Sequence, residues 1–95
     1  MYSDTFHFYE GERKEITATV SPKNENEVVV ITSATFELER VSDKTVIQTD
    51  NCEISGNEIS MLLEVDTAGI FGLTMTAYVG KEVVKKTALI KVHRP

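Results

Sequence analysis

The chain has 95 residues, 15 acidic against 10 basic side chains, a formal net charge of −5, one cysteine and no tryptophan. This length makes one domain, residues 1–95, with one core. The acidic balance argues against general nucleic-acid binding, which needs a basic face, and the single Cys52 excludes an intrachain disulfide or a cysteine-built metal site. No stretch nears the roughly 20 apolar residues of a membrane span. The opening Met1-Tyr2-Ser3-Asp4-Thr5 has no basic segment leading into an apolar run. The expectation is cytoplasmic synthesis without a signal peptide, with incorporation into a virion left open.

Thr5 to Tyr9 is a short aromatic run in which Phe6 and Phe8 share a face, which predicts a first strand. Ile16, Ala18 and Val20 then alternate with threonines as a half-buried strand, ended by the polar Ser21-Pro22-Lys23-Asn24-Glu25-Asn26-Glu27. Val28 to Ile31 is continuously apolar. It reads as a strand buried on both faces, a segment crossing between sheets, or an exposed edge open to strand addition. Ala34, Phe36 and Leu38 alternate with Thr35, Glu37 and Glu39, and Thr45 to Thr49 returns as a hairpin partner after the turn Val41-Ser42-Asp43-Lys44. Cys52, expected as a small buried hydrophobe, and Ile54 precede a turn at Gly56-Asn57.

Ile59, Met61, Leu63 and Val65 carry an inward face into Asp66-Thr67-Ala68-Gly69, a corner by its turn chemistry. From Phe71, every second residue is apolar (Leu73, Met75, Ala77, Val79), which predicts a central strand with one buried face. After Gly80-Lys81, the residues Val84, Ala88, Ile90 and Val92 close the chain on one face, with Lys86 as the odd member. No segment holds helical spacing. Strands every 8–12 residues predict an all-β sandwich of two antiparallel sheets with seven to eight strands.

Charge is unevenly placed. Residues 1–80 carry a balance of −9 and residues 81–95 one of +4, through Lys81, Lys85, Lys86, Lys91 and Arg94 against Glu82. Either a basic last strand pairs beside acidic neighbours, or acidic and basic faces dock between copies.

Little in the chain promises chemistry. His7 and His93 lie near the two ends of the sequence, on strands that are neighbours in many sandwiches. A two-histidine metal site with Asp4 as third ligand is one reading and solvent-facing histidines the other; the latter is the expectation, with no metal or cofactor assigned. The pairs Glu10/Glu12, Glu25/Glu27 and Glu37/Glu39 read as solvated faces rather than acid–base dyads. Asp50-Asn51-Cys52-Glu53 lacks the ladder and glycine of a calcium loop. No catalytic residue is assigned, and the chain is expected not to be an enzyme. Tyr2, Tyr9 and Tyr78 fall on outward or terminal positions, as interface residues do, or as covers of a sandwich edge do. With Lys81, Lys85 and Lys86 they form the candidate interaction set.

The corner Asp66-Thr67-Ala68-Gly69-Ile70-Phe71-Gly72-Leu73 resembles the Asp-x-x-Gly-x-Tyr-x-(apolar) corner of immunoglobulin-like sandwiches, with Phe71 in the place of the tyrosine. Asp66, Gly69 and Phe71 are its structural residues, and Phe71 is left with a packing role alone. The longer order of Ala34 to Val46, Ile54 to Ile59, the corner and a closing strand to Val92 resembles small immunoglobulin-like proteins of phage and prophage structural regions. These include N-terminal domains of phage baseplate upper proteins. The resemblance implies a non-catalytic structural or assembly component whose partners are protein, either copies of itself or a larger particle component. The alternative is a receptor- or glycan-binding module. Neither nucleic acid nor membrane is expected as a partner.

Overall fold

Residues 4–21 and 28–95 are described by a computed structural model in which every regular element is a strand. In chain order these are β1 (Asp4–Tyr9), β2 (Glu12–Thr19), β3 (Ser33–Arg40), β4 (Val46–Asn51), β5 (Glu53–Ser55), β6 (Glu58–Val65), β7 (Gly69–Val79) and β8 (Glu82–His93). One sheet has the order β1-β8-β7-β3-β4 and the other β2-β6-β5. The all-β immunoglobulin-like sandwich is therefore what the chain forms.

The expectation of two antiparallel sheets needs one correction. β1 runs parallel to β8, with Asp4 opposite Ala88 and Tyr9 opposite His93, while the other pairs are antiparallel. The cause is the turn at Glu10-Gly11, which takes the chain across to β2 in the other sheet. β1 therefore has no hairpin partner in its own sheet and lies beside the last strand.

β7 is the middle strand, paired from Gly69 to Val79 with β8 and from Phe71 to Tyr78 with β3. Its inward residues Phe71, Leu73, Met75 and Ala77 are buried, as are Ala34, Phe36 and Leu38 beside them on β3 and Ala88, Ile90 and Val92 on β8. Ile59, Met61, Leu63 and Val65 of β6 close the core from the other sheet. The alternation places all of these as the sequence predicts. Cys52 is buried and free; burial pushes its thiol above the ordinary value, with Asp50 adding to the effect.

Val28 to Ile31 is not a strand. Val28 and Val30 are 86% and 64% exposed, while Ile31 is buried, so the segment is a crossing between the sheets with one side turned inward. The ladder is joined at the next residue, Thr32, whose N–H bonds the Tyr78 carbonyl at 2.9 Å. β2 begins four residues before Ile16, because register with β6 continues to Glu12 opposite Val65. The turn at 21–27, with the pair Glu25/Glu27, lies mainly outside the described residues.

The corner is held differently from a tyrosine corner. Gly69 has φ +147°, and Phe71 is buried with its ring against Gly69. Asp66 is exposed; the anchor is Glu10, whose Oε2 accepts the Ala68 N–H at 3.0 Å. At the β3–β4 turn, Asp43 accepts the Thr45 N–H and an Arg40 guanidinium N–H, each at 3.1 Å. These bonds, that of the Thr45 backbone foremost, hold its carboxyl below the ordinary 3.8.

Two outcomes follow. Gly69→Ala should destabilise by about 1–3 kcal/mol in urea unfolding through backbone strain, because its Cβ would meet the Phe71 ring only at ordinary contact distance, 3.7 Å. Stability contributed by Asp43 is present above the ordinary aspartate value and is lost as pH falls through the lower folded value. The gap between wild type and Asp43→Asn should therefore close on acidification below about pH 4, as read from melting temperatures across a pH series.

Candidate interaction surface

The inward faces of both sheets are consumed by the core, so recognition falls to the outward faces and the edges. Period two assigns them. On the five-stranded sheet, Tyr78 faces out between Ser33 and Val83, Thr76 between Thr35 and Lys85, and Thr74 between Glu37 and Thr87. Thr35, Glu37, Thr49, Thr74, Thr76 and Lys85 line a shallow open depression there. The outward face of the three-stranded sheet is more charged, with Arg13 ion-paired to Glu64 and Glu15 opposite Leu62.

The proposed interaction residues do not come together. Tyr9 stands opposite His93 and Tyr78 opposite Val83, ten positions apart on β8. At strand rise this is about 33 Å, so the two tyrosines mark opposite ends of one face. Tyr2 lies outside the described residues. Lys85 is on the outward face, Lys81 is exposed in the β7–β8 turn, and Lys86 turns the other way, its Nζ donating to the Thr19 carbonyl of the opposite sheet. Lys86 is thus the odd member of the inward row, as its place in the alternation predicts, because neighbours on a strand point to opposite sides.

Two stretches of edge, along β1 and along β6 beyond the end of β5, are guarded by side chains. Glu10 N–H donates to the His93 carbonyl at 2.9 Å, continuing the β1–β8 ladder. The odd-numbered backbone groups of β1 therefore face the open edge. Two of these are taken: the Tyr9 N–H by Glu12 Oε1 at 2.5 Å, and the His7 carbonyl by Lys14 Nζ at 3.0 Å. Lys14 also lies 3.5 Å from Glu12 and over the Phe8 ring. On the opposite side, the Gln48 amide donates to the Leu62 carbonyl and accepts the Glu64 N–H, standing in for a strand where β5 has ended. Side chains used this way deny the edge to an added strand.

Sequence reading assigned Glu10 and Glu12 to a solvated face. Both bind backbone amides instead, a role that becomes visible only once β2 and the corner lie beside them. Gln48 was missed for the same reason. The described polar and charged side chains include none that is buried, and no group of three or more His, Cys, Asp or Glu stands within reach of a shared metal ion among the described residues. His7 and His93 do come together, with His7 Nδ1 2.9 Å from His93 Nε2.

No protein-family model matches this sequence, and no curated protein matches it. Solved structures do. The chain is similar to an engineered protein with a TM-score of 0.73 and 14% identity, over 94% of this chain but only 18% of that one. It is also similar to fibronectin(III)-like modules of Clostridium thermocellum CbhA, with a TM-score of 0.61, 19% identity and coverage of 96% and 89%. A third likeness is to a structure of the titin M10–obscurin like 1 Ig complex, with a TM-score of 0.54, 15% identity and coverage of 99% and 90%. At such identities the likeness is one of fold, and it defines the class: an immunoglobulin-like and fibronectin type III-like sandwich.

If Glu12 protects the edge, Glu12→Ala should speed hydrogen exchange at the Tyr9 amide by about tenfold, the loss expected for a bond to a charged acceptor. Core amides of β7 should be unchanged in the same spectra.

Proposed function

We infer that this chain is a non-catalytic contact domain, a structural or assembly component that docks protein on the outward face of its five-stranded sheet. The carrying observation is that face itself. It is uncovered by any described segment and presents Tyr78 and Val83 (54% exposed) together at one end, above a row of threonines. Exposed aromatic and branched apolar side chains with few charges are what a protein interface uses at its centre. The titin neighbour, solved as a complex with obscurin like 1, supports contact between sandwiches as a mode of action for this fold.

The partner is a further copy of the chain or a larger particle component, which the sequence resemblance would make a phage or prophage one. Strand addition at β1 is disfavoured by Glu12 and Lys14, and a combined lysine face by the inward turn of Lys86. The separation of Tyr9 from Tyr78 leaves the glycan-binding alternative without a shared aromatic platform.

Light scattering across a concentration and salt series tests the self-assembling form. A mass above the monomer is expected, little changed by salt and reduced by Tyr78→Ser with Val83→Ser. An assembly that dissolves in salt and ignores those substitutions would return the weight to Lys81 and Lys85. A monomer throughout removes self-assembly, and the face is then tested against a separate protein.

A further inference from the structure

The chain's two histidines are 86 residues apart in sequence and share one surface. β1 and β8 run parallel with His7 opposite Lys91 and Tyr9 opposite His93, so His7 and His93 are diagonal neighbours on the outward face. Their rings lie 14° from parallel with centroids 5.2 Å apart, and His7 Nδ1 is 2.9 Å from His93 Nε2. Tyr9 packs its ring against His93 at 6.2 Å, walling one side. Both imidazoles are exposed, so the nitrogens are open to an ion from solvent.

We propose that His7 and His93 form a two-histidine site for a divalent transition-metal ion of the nickel and copper kind. The donor set of the pair carries the choice. Two imidazole nitrogens completed by water oxygens are the donor set of tetragonal nickel or copper, whereas zinc favours tetrahedral sites, and the hydrogen bond at 2.9 Å places both nitrogens within reach of one ion. Rotation about the side-chain torsions of the two exposed residues brings both lone pairs onto the ion, and the ring that donates in the free pair carries its proton on its other nitrogen once bound, exchanged through water. Water fills the remaining positions. Asp4, the third ligand considered from sequence, is not available: it lines a groove with Phe6, Ile16 and Lys86 on the other side of the strand. Two protein ligands, with Lys91 opposite His7, set a modest affinity.

The test is calorimetric titration of the tag-free chain with nickel chloride and, separately, zinc chloride. It is joined to amide spectra that record broadening by the paramagnetic nickel ion. The expected result is nickel binding tighter than zinc, weakened at least about tenfold by either His7→Ala or His93→Ala, with broadening centred on residues 7–9 and 91–93. Binding unaffected by both substitutions, broadening centred on the N-terminal residues, or no binding at all would overturn the site. The wild-type broadening map decides the question even where a variant folds poorly. The result is independent of the assembly reading, whose residues lie at the other end of the face.

Discussion

The two-sided pairing of β7 is the constraint on which the rest of the structure depends. Its backbone groups are shared between β3 and β8, while Phe71, Leu73, Met75 and Ala77 face the three-stranded sheet. A backbone hydrogen bond contributes little on balance but is costly to leave unmade when buried, so a central strand must find partners on both edges. Once it does, the pleat sends alternate side chains to one side and the core follows. The corner at Gly69 matters because it delivers the chain into that strand at the right register, and a one-residue slip would turn the buried row to solvent.

The eight strands leave edges, and along β1 and along β6 beyond the end of β5 the chain covers them with side chains rather than with more backbone. Glu10 binds the corner at Ala68, Glu12 and Lys14 satisfy β1, and Gln48 satisfies β6 beyond the end of β5. Glu12, Lys14 and Gln48 continue the inward rows of their strands, opposite the buried Val65, Leu63 and Leu38, and so stand at the rim of the core, while Glu10 lies in the turn before β2. Their shared role explains how short strands such as β5 are tolerated without exposing a template for another chain.

Strand positions and the buried row were legible from Ala34, Phe36, Leu38, Ile59, Met61, Leu63, Phe71 and Leu73 because period two is a local property of the pleat. Val28 to Ile31 was ambiguous for a definite reason: a run of branched apolar residues has no alternation to read, and exposure decided it. The candidate site was less legible. The alternation sets Lys86 on the inward row and Lys85 on the outward one, but that Lys86 reaches the Thr19 carbonyl of the opposite sheet was not legible in it. The edge-guarding glutamates looked like solvent charges because their amide partners are remote in sequence or in a turn.

By itself, then, the sequence determined an all-β chain, the alternating rows of its core, the corner before the central strand and the place of most turns. These depend on neighbours along the chain and on the pleat. Only the tertiary structure decided that β1 lies parallel to β8, that Glu10 rather than an aromatic hydroxyl anchors the corner, and that His7 meets His93. Such contacts join residues far apart in sequence. They are set by which sheet each strand enters, a choice made by packing the whole core at once and encoded in no single stretch of residues.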